Sequence, residues 1–130
     1  MKRIGRGIRR VAGRMNKIEA RYAEYLKQQQ FAGYVEWFAY EPIKIKLADK
    51  TYWTPDFVVM RPDGILEAHD TKGTTTRRDS ANRKYKGPWV EQHAAVKIKV
   101  APVAFPIRVF TVWLDAGVWQ YQEYGTCPAT

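Results

Sequence analysis

The sequence predicts one small α/β domain built on a central mixed β-sheet flanked by helices. Three observations carry this. The chain has 130 residues, enough for one modest core and too few for two. Apolar residues make up 45% of it, and Trp, Tyr and Phe 14%, which a disordered chain does not carry. The elements read in the order helix, several strands, helix, strands, the pattern of a sheet with helices packed on it.

Taken in order, residues 1–10 read as an irregular basic arm, loosened by Gly5 and Gly7. Val11, Met15, Ile18, Tyr22, Tyr25, Leu26 and Gln29 follow helical spacing, which predicts a helix over about 14–30, ending near Gly33. Tyr34–Tyr40 and Ile43–Leu47 look like strands, the second alternating Lys44 and Lys46 with apolar residues. Tyr52–Met60 is a stronger strand, followed by the turn Arg61-Pro62-Asp63-Gly64 and the strand Ile65–Asp70. Thr71–Asn82 is polar, contains Gly73 and reads as a loop. A second helix is expected over about Val90–Val100, with Pro102 ending it. Phe105–Leu114 reads as a late strand, Asp115-Ala116-Gly117 as a turn and Val118–Tyr124 as a last strand. The plan is thus a basic arm (1–15), one domain (16–124) and a short tail (125–130).

The formal net charge is +9, from 22 Lys and Arg against 13 Asp and Glu. Such a surplus attracts polyanions and says nothing about fold. The first seventeen residues hold seven basic residues and no acidic one. An organelle-targeting segment has that look, but no secretory apolar core follows, so a basic arm for nucleic acid is the preferred reading. The single cysteine, Cys127, allows no internal disulfide and no thiolate metal cluster, which fits a reducing compartment. No apolar run approaches the length of a membrane span, so no membrane partner is expected.

The chemistry centres on the hairpin. If its loop is the three residues Pro62, Asp63 and Gly64, then Arg61 faces Ile65 and Asp56 falls opposite Asp70. Opposed residues on one sheet face have Cβ atoms about 5 Å apart. Two carboxylates there repel unless a cation sits between them, and Mg²⁺ sites take one or two carboxylates. A two-residue loop slips the register and parts the pair. Lys72 lies two residues beyond Asp70, so both side chains point one way while the strand continues. It can polarise a water or steady a phosphodiester's charge. Glu19, at the border of the core-facing stripe of the first helix, can reach the sheet. Against this, Asn16-Lys17-Ile18-Glu19 matches a capping box, in which Glu19 only bonds the Asn16 backbone. That alternative starts the helix at Lys17.

The stretches NKIEARYAEYL, YEPIKIKLADKTYWTPDFVVMRPDGILEAHDTKG and AAVKIKVAPVAFP resemble a family of small phage and prophage endonucleases. These have the PD-(D/E)xK nuclease fold, a restriction-endonuclease-like core, and are similar to phage endonuclease I Holliday-junction resolvases. The likeness runs from about Asn16 to Leu114. Pro55-Asp56 matches the PD element and Asp70-Thr71-Lys72 the (D/E)xK element, and Glu19 matches the helix glutamate of the acidic site. The resemblance implies that Glu19, Asp56 and Asp70 hold Mg²⁺ or Mn²⁺, that Lys72 helps activate water, and that DNA is hydrolysed to 5′-phosphates. It implies a homodimer acting on branched DNA such as a four-way junction, in the cytoplasm of a bacterial host.

Asp70 stands where relatives often carry glutamate, which draws the metal closer to the strand. Thr74–Lys86 resembles an insertion found in only some relatives. Its Arg77, Arg78, Arg83, Lys84 and Lys86 are candidates for gripping a phosphate backbone, with a solvated polar loop as the alternative. Arg6, Arg10 and Arg14 on the arm are further candidate contacts. The resemblance puts one of Lys97 and Lys99, preferably Lys97, toward substrate; two apart on a helix, they cannot share a face.

His69 and Glu67 are expected to point away from Asp56 and Asp70. His93 has no ligand partner at i±4 and carries no assignment. Trp37, Trp53, Phe57 and Phe105 read as packing residues, and Trp89 as the better base-stacking candidate. The rival reading is a non-catalytic basic nucleic-acid-binding module with a structural acidic cluster. A phage structural or interaction protein is a second rival.

Overall fold

The first helix begins where a capping box closes it. In the computed structural model, which describes residues 13–125, helix α1 spans Lys17–Phe31. The Asn16 side chain accepts from the Glu19 N–H at 2.8 Å, and Glu19 Oε1 accepts from the Asn16 N–H at 2.9 Å. Two donors of the first turn are thereby satisfied. This corrects the expected start at residue 14; Val11 lies outside the described residues.

The strands that follow are β1 (Trp37–Tyr40), β2 (Ile45–Ala48), β3 (Thr51–Trp53), β4 (Phe57–Met60) and β5 (Leu66–Thr71). The expected single strand over Tyr52–Met60 is two. It breaks at Thr54-Pro55, because proline has no N–H for a ladder. The break sends β2 and β3 off as their own two-stranded sheet. Then come β6 (Thr74–Arg78), β7 (Lys84–Pro88), helix α2 (Gln92–Ala104), β8 (Arg108–Asp115) and β9 (Val118–Tyr124). The polar stretch expected to be a loop is largely the hairpin β6–β7. Polar threonines and arginines mask its strand character, since both its faces lack an apolar alternation.

The central sheet is mixed, in the order β1-β4-β5-β8-β9. All its pairings are antiparallel except β5 with β8. Parallel neighbours need a long crossover, and here it is the β6–β7 hairpin plus α2. The turn between β8 and β9 is the two-residue Ala116-Gly117 with φ of 52° and 79°, the left-handed pair that matches strand twist.

Alternation along the strands sorts two cores. Tyr22, Ala23 and Leu26 of α1 bury Phe57, Val59 and Val112 on one face. Ile98 and Ala101 of α2 cover Ala68 and Val109 on the other, together with Ile45 and Trp53 from the small sheet. Pro102 lies inside α2 rather than ending it, and the helix stops at Phe105, whose N–H bonds Ala101 O at 3.0 Å. Proline there removes one helical bond; Ile98 and Ala101, buried in the turn before it, hold the helix against the sheet. No described helix is long and apolar enough to cross a membrane.

Ile98 is fully buried. We expect Ile98→Ala to lower unfolding free energy by about 2–5 kcal/mol, read as a shift of the urea midpoint at unchanged slope.

Candidate active site at the ends of β4 and β5

The turn between β4 and β5 sets the site. Arg61 N–H bonds Ile65 O at 2.9 Å and Gly64 N–H bonds Arg61 O at 2.8 Å. Gly64 takes φ of 87°, the left-handed position a three-residue hairpin loop needs. The register runs Met60 opposite Leu66 to Phe57 opposite His69. One step further, Asp56 falls opposite Asp70, as the three-residue loop requires. Both are buried.

Asp56 does not simply face its neighbour. Its Oδ2 accepts from Thr71 N–H at 2.8 Å and from Thr71 Oγ1 at 2.9 Å. This closes the end of β4 onto β5 after the ladder has stopped. Lys72 continues the line of β5, its N–H bonding Val112 O at 2.9 Å. Its Nζ lies 2.5 Å from Asp70 Oδ2, so the two side chains share a direction, as their spacing predicts.

Glu19, Asp56, Asp70, Thr71 and Lys72 line one cavity of about 360 Å³ with Asn16, Trp53, Thr54, Glu91, His93, Ala94 and Lys97. Four separate segments meet there: the start of α1, the β3–β4 link, the end of β5 and the first turns of α2. Glu19 forms the capping box and also reaches the cavity wall. Its Oε1 accepts from Asn16 N–H and from Tyr40 Oη at 3.0 Å, while its side chain forms part of the cavity wall. Of the lysine pair, Lys97 lines the cavity, and Lys99 is exposed elsewhere on α2. His93 and Glu91 carried no site assignment from the sequence. His93 and Lys97 are four apart, so they share a helix face; that spacing was the available signal.

The carboxylates in the lining offer oxygen donors, which suit hard cations such as Mg²⁺ or Mn²⁺, and His93 adds one ring nitrogen. Among the described residues, however, no three His, Cys, Asp or Glu side chains converge closely enough to hold a metal ion by themselves. Asp56 and Asp70 are engaged by Thr71 and Lys72, and Glu19 by its cap and Tyr40. The carboxylates by themselves therefore do not make up a complete metal shell.

On the opposite sheet face, His69 and Glu67 point away from the cavity, as their parity predicts. His69 Nε2 lies 2.9 Å from Glu67 Oε1, and its Nδ1 2.5 Å from Tyr22 Oη, which in turn lies 3.1 Å from Tyr121 Oη. Arg61 Nε bonds Glu67 Oε1 at 3.1 Å, and Arg108 Nη1 lies 3.7 Å from Glu67 Oε2. Burial holds His69 below the ordinary imidazole pKa despite the Glu67 contact. Burial pushes the Glu67 carboxyl up, but His69 and Arg61 outweigh it and hold it low. Burial raises the Tyr22 hydroxyl. The sequence gives Tyr22 only an apolar-face spacing, so this network was not foreseen.

Arg77, Arg78, Arg83, Lys84 and Lys86 are all exposed on the β6–β7 hairpin, and Arg14 is exposed before α1. Arg6, Arg10 and Cys127 lie outside the described residues. Trp89, 60% exposed at the foot of the hairpin, is available for stacking. Trp53 and Phe57 are core residues, while Trp37 and Phe105 are partly exposed, at 41% and 44%.

In comparisons with protein-family models, curated proteins and solved structures, nothing matches this chain.

The buried histidine has a pH consequence. Folding holds His69 below the imidazole value that it regains when unfolded. The unfolded chain therefore binds protons first as pH falls below the usual imidazole value of 6.5, and stability drops. The low Glu67 carboxyl adds a further loss below its usual value of 4.5. We expect urea unfolding free energy to fall from pH 8 to pH 5, and His69→Gln to flatten that limb.

Proposed function

We propose that this protein is a metal-dependent DNA endonuclease with a PD-(D/E)xK-type, restriction-endonuclease-like core. One observation carries the reading: Glu19, Asp56, Asp70 and Lys72, drawn from three segments, line a single cavity with Lys97 on its far wall. The mixed sheet with a helix on each face and the +9 charge support it.

Asp56 and Asp70 are the proposed direct metal ligands, and Glu19 completes the acidic wall. A bound Mg²⁺ or Mn²⁺ supplies the Lewis acidity that polarises the scissile phosphodiester. The chain's own residues do the rest. Asp56, fastened to Thr71, holds the end of β5 against the start of β4. Lys72, positioned by Asp70, orients the attacking water and offsets charge growing on the phosphoryl oxygens. Lys97 approaches the same phosphate from α2. Water adds to phosphorus, the P–O3′ bond breaks, and the products are a 5′-phosphate and a 3′-hydroxyl.

Branched DNA is the proposed substrate and a twofold dimer the proposed assembly, because cutting two strands symmetrically calls for two sites. Exposed Phe31, Tyr34 and Trp37, at 96%, 65% and 41%, are surface apt for a second copy. The proposed setting is the cytoplasm of a bacterial host. The second reading, a non-catalytic nucleic-acid-binding module, is favoured by the carboxylates' existing protein partners.

Cleavage of labelled four-way junction and linear duplex with Mg²⁺ separates these. We expect Asp56→Ala, Asp70→Asn and Lys72→Ala each to lose at least about 10²-fold in rate, with circular dichroism unchanged for Asp70→Asn. Chelation by EDTA is expected to abolish cutting and leave DNA binding in place. Equal activity in wild type and variants refutes the site, and binding without any cutting supports the second reading. Cutting of duplex but not of junctions removes only the branched-substrate assignment.

A further inference from the structure

The β6–β7 hairpin interrupts the chain between the two elements that line the cavity. Gly73 is its only separation from Lys72, and Trp89 N–H bonds Gly73 O at 2.8 Å, closing its base. Its backbone is also tied to the central sheet. Asp115 Oδ1 accepts from Lys86 N–H at 3.2 Å, and Trp113 Nε1 donates to Lys86 O at 2.9 Å. The hairpin is therefore a fixed projection beside the site.

Its five basic residues are not equivalent. Thr75, Arg77, Tyr85 and Gly87 share one face, since Arg77 pairs Tyr85 and Thr75 pairs Gly87. Arg77 lies across Gly87, where an added Cβ would sit 2.7 Å from its Cδ, and it donates to Pro88 O at 3.0 Å. Arg83 belongs to the tip. Asp79 accepts from its Nε and its N–H, each at 2.9 Å. Those two arginines hold the ribbon together.

The other face carries Thr76, Arg78, Lys84 and Lys86, all exposed. Lys86 Nζ donates to Thr76 Oγ1 at 2.7 Å and Arg78 Nη1 to Asn82 O at 3.0 Å, both neutral acceptors. Arg78 stands directly opposite Lys84. Like charges so placed are destabilising, and an anion between them removes the cost. Among the described acidic residues nearby, Asp79 is bound to Arg83, and Asp115 to the Lys86 backbone. Asp115 shares a groove with Lys84 and Lys86, but among the described residues none of the three cations Arg78, Lys84 and Lys86 is held in an ion pair, and they outnumber that one carboxylate.

We propose that this face grips duplex DNA, the ribbon lying along the major groove with Arg78, Lys84 and Lys86 on flanking phosphates. The groove of B-DNA, about 12 Å wide, admits a two-stranded ribbon. The major groove of A-form RNA does not admit side chains. Each strand spans about 17 Å at five residues, so the grip extends well beyond the scissile bond. The substrate class rests on the nuclease reading above, and the hairpin's part in holding it is the new element.

The test is binding of a fluorescent DNA duplex in EDTA over a salt series. The triple variant Arg78→Ala, Lys84→Ala, Lys86→Ala is compared with an equal-charge control, Arg21→Ala, Lys27→Ala, Lys50→Ala. The expected result is a loss of at least about tenfold for the hairpin variant at about 0.1 M salt, and a salt slope smaller by about 2 to 3. The control is expected to lose far less, and Arg78→Lys to retain binding. Equal losses in both triple variants overturn the proposal, as does equal wild-type affinity for duplex RNA of the same sequence. A hairpin variant that binds as wild type, in a protein that still cuts, overturns the grip and leaves the nuclease standing. Wild type that neither binds nor cuts DNA overturns both.

Discussion

The register between β4 and β5 is the constraint on which the rest depends. A slip of one residue turns every side chain of a strand to the other face. Here the slip is prevented twice. The three-residue loop with Gly64 in a left-handed conformation sets the pairing at one end. The Asp56 carboxylate, holding both the N–H and the hydroxyl of Thr71, locks it at the other. A residue whose side chain faces the cavity is thus also the fastener of the strand that carries Asp70 and Lys72.

That register divides the polar residues of β5 between two environments. His69 and Glu67 go to the α1 face, where they form a chain with Tyr22 and Arg61 inside an aromatic core. Asp70 goes to the α2 face at the strand's open end. Buried polar groups are tolerable only when paired, and each face pairs its own. The α1 face does so with the Arg61–Glu67 ion pair, His69 and tyrosine hydroxyls beside an aromatic core. The α2 face does so with the Lys72–Asp70 ion pair in the cavity wall.

The crossover between β5 and β8 decides what surrounds the site. A parallel pair obliges the chain to travel, and this chain uses the journey twice. The hairpin leaves immediately after Lys72, and α2 returns with His93 and Lys97 over the cavity. Lys97 therefore reaches the cavity from an element far from Asp56 and Asp70 in sequence.

Much of this was legible in the amino-acid order. Periodicity located α1, most strands and α2. Strand parity put Asp70 with Lys72 and apart from His69, because side chains alternate regardless of what packs on them. The loop Pro62–Gly64 set Asp56 opposite Asp70, because turn length determines hairpin register. The rest lay in tertiary contacts. Pro102 reads as a helix terminator, yet the burial of Ile98 and Ala101 just before it carries the helix past one lost hydrogen bond. Thr74–Lys86 reads as a loop, because a hairpin with two wet faces has no apolar alternation to betray it. Glu19 could be assigned to a cap or to the sheet end from sequence, but only the packing of α1 against the end of the sheet lets it cap the helix and line the cavity together. The amino-acid order by itself put Asp70 and Lys72 on one strand face and, on the condition of a three-residue loop, Asp56 opposite Asp70, since turn and alternation are local. Only the tertiary structure decided that Glu19, His93 and Lys97 meet them around one cavity, since that depends on where two distant helices are buried.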